Sequence, residues 1–206
     1  MSPRFKKTKE EVFWNWFEKS ESRLFQLETD QEAILDEISG ALTACAEGLV
    51  FEISKENNGK REFIISADGL EELFPAVEKL AAAAPKLERW TIIAFRPRMD
   101  DYSGFKLNYA EKTFDPAEMW FRHFIEDRNF DLIVYYPDYN EDERNRFVAA
   151  TYILLDMALG EYDVVTGIRY IEHELLPPNP EDEGLRPFRE LRRIFDEYDA
   201  ATFAEQ

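Results

Sequence analysis

The residues able to carry chemistry in this sequence are two histidines, one cysteine and a few carboxylate and guanidinium groups at suggestive spacings. His173 lies in Glu172-His173-Glu174. On a strand, alternate side chains point to opposite faces, so the two glutamates share one face and the histidine takes the other. That tripeptide alone cannot close a three-ligand site, and no metal is expected. His123 falls on the apolar side of an alternating stretch, with Phe121 and Ile125. It is either a hydrogen-bonded core histidine or an acid–base group. Asp156, Glu161 and Asp163 gather where the apolar run 147–159 ends. Paired carboxylates can share acid–base work or offer oxygen ligands to a cation. Among 43 acidic residues they also arise by chance. Arg96 and Arg98 flank Pro97, and their guanidinium forks suit either an anion clamp or structural ion pairs with those carboxylates. The catalytic candidates are therefore Glu161, Asp163 and His123, and the binding candidates are Arg96 and Arg98. No Gly-rich phosphate loop, G-x-S-x-G, H-E-x-x-H or C-x-x-C is present. No cofactor is expected.

Helical spacing over 9–27 places Phe13, Phe17, Leu24 and Leu27 on one face. The cluster Phe13-Trp14-Asn15-Trp16-Phe17 either anchors that helix on a core or lies at a membrane surface. A second helix is predicted over 30–47, with Gly48 as its stop. Apolar segments 49–54 and 62–66 then form a hairpin through Asn57-Asn58-Gly59, residue types that tolerate positive φ. A helix starting near Phe74 or Pro75 ends at Pro85, and 90–95 reads as a buried strand. Strands are expected at 105–109, 118–126 and 132–136. The longest helix is expected from Glu141 to Leu159, capped by Gly160. A long β-rich segment, 162–175, follows. The Pro-rich stretch 177–184 reads as a solvated linker to a C-terminal docking helix, 187–198. No internal repeat is visible. The fold class is α+β, a largely antiparallel sheet packed with several helices. It forms a single domain over 1–206, with two lobes of about 10–98 and 99–206 as the alternative.

Apolar residues make up 45% of the chain and aromatics 15%, ample for a packed core despite the charge. The formal charge of −18 repels phosphate backbones and anionic lipids, so neither nucleic acid nor membrane is an expected partner. The obvious local exception is a basic arm of Arg4, Lys6, Lys7 and Lys9. That arm leads into charged and aromatic residues and does not resemble a signal peptide. The run 147–159, interrupted by Asp156, is too short to span a bilayer. Cys45 is the sole cysteine, which excludes an intramolecular disulfide and a cysteine-based zinc cage. The expected location is the cytoplasm.

The segments Phe13-Trp14-Asn15-Trp16-Phe17, Ala67-Asp68-Gly69, Ala84-Pro85-Lys86-Leu87-Glu88-Arg89-Trp90, Ala94-Phe95-Arg96-Pro97-Arg98 and Leu159-Gly160-Glu161-Tyr162-Asp163 together resemble a family of uncharacterised bacterial proteins carrying a domain of unknown function. The resemblance runs from about Phe13 to Asp163. It implies a bacterial, cytoplasmic protein and transfers no catalytic residues. The leading expectation is a non-enzymatic module that binds a protein or small ligand. One version is an immunity-type or structural partner of a basic protein. The alternative is a hydrolase or transferase built on a carboxylate and arginine site, which requires Glu161, Asp163, Arg96 and His123 to converge.

Overall fold

Thr8 opens the first helix with a reciprocal cap. Its hydroxyl accepts from the Glu11 amide, and the Glu11 carboxylate accepts from the Thr8 amide. In the computed structural model, which describes residues 7–127 and 129–203 with the side chains of 200–203 excepted, this helix is α1 (Lys9–Phe25). Arg4 and Lys6 of the basic arm lie outside the described residues. The chain divides into two compact units, Met1–Arg96 and Pro97–Gln206.

In the first unit the aromatic cluster of α1 faces the core. Phe13, Trp14 and Phe17 are buried, and the Trp14 indole donates to the Leu80 carbonyl at 2.7 Å. The Phe17 ring meets Phe63 and Trp90 edge-on, both at 5.2 Å. Helix α2 (Gln31–Cys45) adds Ile34, Ile38 and Leu42 to that core. Strands β1 (Val50–Ile53) and β2 (Arg61–Ser66) pair antiparallel. Asn58 (φ 52) and Gly59 (φ 75) turn the chain between them, as Asn-Gly is suited to do. Helix α3 (Phe74–Ala82), with Pro75 in its first turn, crosses to β3 (Trp90–Ala94), which pairs parallel with β2.

The second unit opens with a small hairpin, β4 (Leu107–Tyr109) and β5 (Lys112–Phe114). Its turn residues Ala110 (φ 47) and Glu111 (φ 65) are left-handed without being glycine. Glu111→Gly is expected to raise stability by about 0.5–1 kcal/mol. A thermal melt with an unchanged or lowered midpoint would refute that. Strands β6 (Trp120–Glu126) and β7 (Asn129–Tyr136) form a second antiparallel pair. A 3-10 turn at Glu141–Glu143 leads into α4 (Arg144–Leu159), of 16 residues, so the 17-residue α1 exceeds it. Helix α5 (Glu161–Gly167) then precedes β8 (Ile168–Leu175), which pairs parallel with β7.

The β-rich segment expected over 162–175 is thus half helix. Gly160 (φ 86) breaks the chain after α4 and starts α5. Glu161 and Asp163 therefore occupy a helix N-terminus, where their charge is favourable, rather than the C-terminus of α4. Gly167 ends α5 against Phe195, whose ring would lie 2.5 Å from an added Cβ. The stretch 177–184 is held by turns rather than strung out. The amides of Gly184 and Leu185 bond to the Glu181 and Pro180 carbonyls, and Arg122 donates to the Glu183 carbonyl at 2.7 Å. Strand β9 (Arg186–Pro187) pairs with β6, and α6 (Leu191–Phe203) docks Leu191 and Phe195 into the core.

The sheet orders are β1-β2-β3 and β8-β7-β6-β9. In both units a hairpin is followed by a helical crossover to a strand parallel to the hairpin's second strand. The topology repeats where the sequence does not. The fold is α+β with antiparallel pairs in the majority, and each larger sheet carries one parallel pair. Among the described residues, no helix is long and apolar enough to cross a membrane.

Candidate functional site

Arg98 brings two of the sequence's candidates together in the second unit. Its Nη2 donates to Asp163 on α5, its Nη1 to Asp196 on α6, and its Nε to the Leu159 carbonyl, each at 2.7 Å. The guanidinium is thereby spent on protein groups, the structural ion-pair role rather than an anion clamp. Arg192 works beside it, donating to the Ala158 carbonyl at 2.6 Å and the Met157 carbonyl at 3.2 Å. The two arginines cap the last carbonyls of α4, which a helix end leaves without partners. Asp199, also on α6, is pushed above the usual carboxylate range, first by burial and then by Asp163. Three carboxylates thus crowd around Arg98. Arg98→Met is expected to cost about 1–2 kcal/mol, because the lost charge-assisted bonds are partly screened by solvent. Urea unfolding of the purified variant checks this, and an unchanged midpoint would contradict it.

The other candidates stand in different settings. Glu161 is fully buried at the start of α5. Arg96 belongs to the first unit, where it binds Glu52 at 2.6 Å and Asp68 at 2.9 Å. His123 is half-buried on β6, its ring stacked on Phe130 at 5.3 Å. Burial, and then Arg186, pushes it below the ordinary histidine value. Cys45 is half-buried near the Lys9 carbonyl, and burial raises its thiol. Concave spaces of about 530 Å³, walled by Ser54, Asn57, Arg61 and Thr91, and about 270 Å³, walled by Trp120 and Pro178–Pro180, involve none of these candidates.

One polar group escaped the sequence reading. On α4, Thr151 donates to the Phe147 carbonyl at 2.8 Å. Its single proton is then used, so the Tyr136 hydroxyl (2.7 Å) and His173 Nε2 (2.9 Å) must both donate to its oxygen. The ring of His173, 5% exposed, therefore carries a proton on Nε2, and its burial favours the neutral form. Nδ1 is buried without a hydrogen-bond partner among the described residues. Burial, and then Arg144, pushes His173 down to about 4, opposed by Glu172 and Glu141. Glu172 and Glu174 point to the opposite face, as strand alternation requires. Thr151 gave no signal because threonine within an apolar helix reads as filler. Among the described residues, no group of three or more His, Cys, Asp or Glu side chains could hold a metal ion.

The charge is divided unequally between the units. Residues 97–206 contain 25 Asp and Glu against 12 Lys and Arg, whereas residues 1–96 contain 18 against 13. No family model, curated protein or solved structure matches this chain.

Proposed function

We propose that the chain is a bacterial, cytoplasmic, non-enzymatic module that binds a basic protein partner through its second unit. The observation that carries this is the concentration of acidity there, a net charge of −13 from residues 97–206 against −5 from residues 1–96. A one-signed field of this kind accelerates encounter with a complementary surface and selects against acidic competitors. The carboxylates around Arg98 add local support. They outnumber the two guanidiniums beside them, Arg98 and Arg192, so a basic group from a partner would relieve their mutual repulsion. The motif resemblance and the single cysteine support the bacterial and cytoplasmic setting.

The test is capture from lysate of the source bacterium on the immobilised full chain, at low ionic strength. A basic protein released by salt is expected. It should be retained poorly by a triple variant, Asp163→Asn, Asp196→Asn and Asp199→Asn. Capture that is indifferent to salt and to those substitutions would overturn the reading.

A further inference from the structure

The two ends of the second unit's sheet are built differently. On one side β9 is two residues long and includes Pro187, a short edge of the kind that resists pairing. On the other side β8 runs for eight residues without proline and, among the described residues, pairs only with β7. The Leu176 amide bonds to the Tyr136 carbonyl, so even-numbered residues of this stretch direct their amides toward β7. The main-chain groups of Ile171, His173 and Leu175 therefore face the open side. The His173 amide confirms that alternation, since it donates to the side chain of its own neighbour, Glu172, at 3.1 Å. Tyr170 and Leu175 on this strand are 55% and 57% exposed.

We propose that the free edge of β8 accepts an extended basic segment of the partner as an added strand, a refinement that rests on the basic-partner reading above. Side chains opposite one another across a strand pair share a face, so an added strand would meet Tyr170, Glu172 and Glu174 at alternate positions. Among the described residues, Arg144, shared by Glu141 and Glu172, and Arg169 of β8 itself, held by Asp131 and Glu126, are cations at this edge, and the carboxylates outnumber them. Lysine or arginine at every second residue fits that pattern. A basic side chain opposite Glu172 would also draw its carboxylate off the His173 amide and free that donor for the incoming strand. Charge matching would thus unlock the edge. A second copy of this chain fits poorly. Antiparallel self-pairing centred on Glu172 or His173 sets glutamate against glutamate, and centring on Ile171 supplies no cation to either.

The test uses the full chain and an acetylated, amidated peptide alternating lysine and valine, titrated calorimetrically at low ionic strength. Two further peptides carry backbone N-methyl groups, one on every lysine and the other on every valine. Only one set of amides can face β8, so one methylated peptide should bind about tenfold more weakly and the other should not. Leu175→Pro removes an edge amide while leaving the β7 ladder intact, and should weaken the unmodified peptide similarly. A peptide alternating glutamate and valine should not bind. Equal binding of both methylated peptides, or no binding of the parent, overturns strand addition. The lysate capture with the triple asparagine variant decides the basic-partner reading separately. The peptide arm uses the unaltered chain, so it stands even if Leu175→Pro fails to fold.

Discussion

Thr151→Val is expected to cost about 3–4 kcal/mol of folding stability, far more than removal of one hydroxyl group from a helix would ordinarily imply. Valine fills nearly the same volume, so the loss is electrostatic rather than a packing defect. The Thr151 oxygen accepts from both Tyr136 and His173, and it lies in the second unit's core with Phe147, Leu154 and Leu155 around it. Removing it strands two buried donors, each worth about 1–3 kcal/mol in lost hydration. A companion variant makes the expectation specific. Tyr136→Phe deletes one of the donors, so adding it to Thr151→Val should cost much less than it costs alone. Urea unfolding, followed by hydrogen exchange of β7 and β8, measures both. A cost below about 1 kcal/mol for Thr151→Val, or strict additivity of the two, would show that the three groups do not act as a unit.

The second large effect is acid sensitivity. His173 is held down to about 4 in the folded chain, whereas an unfolded histidine titrates near 6.5. Between those values the unfolded state binds a proton that the folded state refuses, so stability rises with pH. The stabilisation is complete above about 6.5, is lost progressively as the pH falls, and is gone below about 4. The difference amounts to about 3 kcal/mol. Protonation would place a new N–H at Nδ1, which has no acceptor among the described residues, in a ring stacked on Tyr139 and close to the Arg144 charge. Glu172 and Glu141 pull in the opposite direction and are outweighed. His123 is displaced in the same sense, and carboxylates such as Asp131 add their own loss at lower pH. The informative quantity is therefore the difference between the natural chain and His173→Gln, which keeps a donor for Thr151 but does not titrate. That difference should slope between pH 4 and 6.5 and flatten above. A flat difference throughout would refute the depressed titration of His173 in the folded chain.

How much of this could be read from sequence depended on whether a residue's type fixed its local geometry. Asn57-Asn58-Gly59 announced its hairpin because those residues accept positive φ cheaply. Ala110-Glu111 makes an equivalent turn with residues that give no such signal. Val164, Val165 and Thr166 favoured a strand by their branching, yet they form the middle of α5, because Gly160 resets the chain and places acidic residues in the first turn. The parallel pairings were invisible, since register across a helical crossover is set by packing and not by neighbours in sequence. Among the site residues, Arg98 and Asp163 were legible as complementary charges near one helix end. The roles of Thr151 and His173 were not, because they depend on three elements, β7, α4 and β8, meeting in one core.

The most direct test of a basic partner engaging the second unit is hydrogen–deuterium exchange of the full chain, with and without the protein captured from lysate. Protection is expected within residues 97–206, on β8 and on the segments carrying Asp163 and Asp196, and it should vanish at high salt. Protection confined to residues 1–96, or persisting unchanged at high salt, would contradict it.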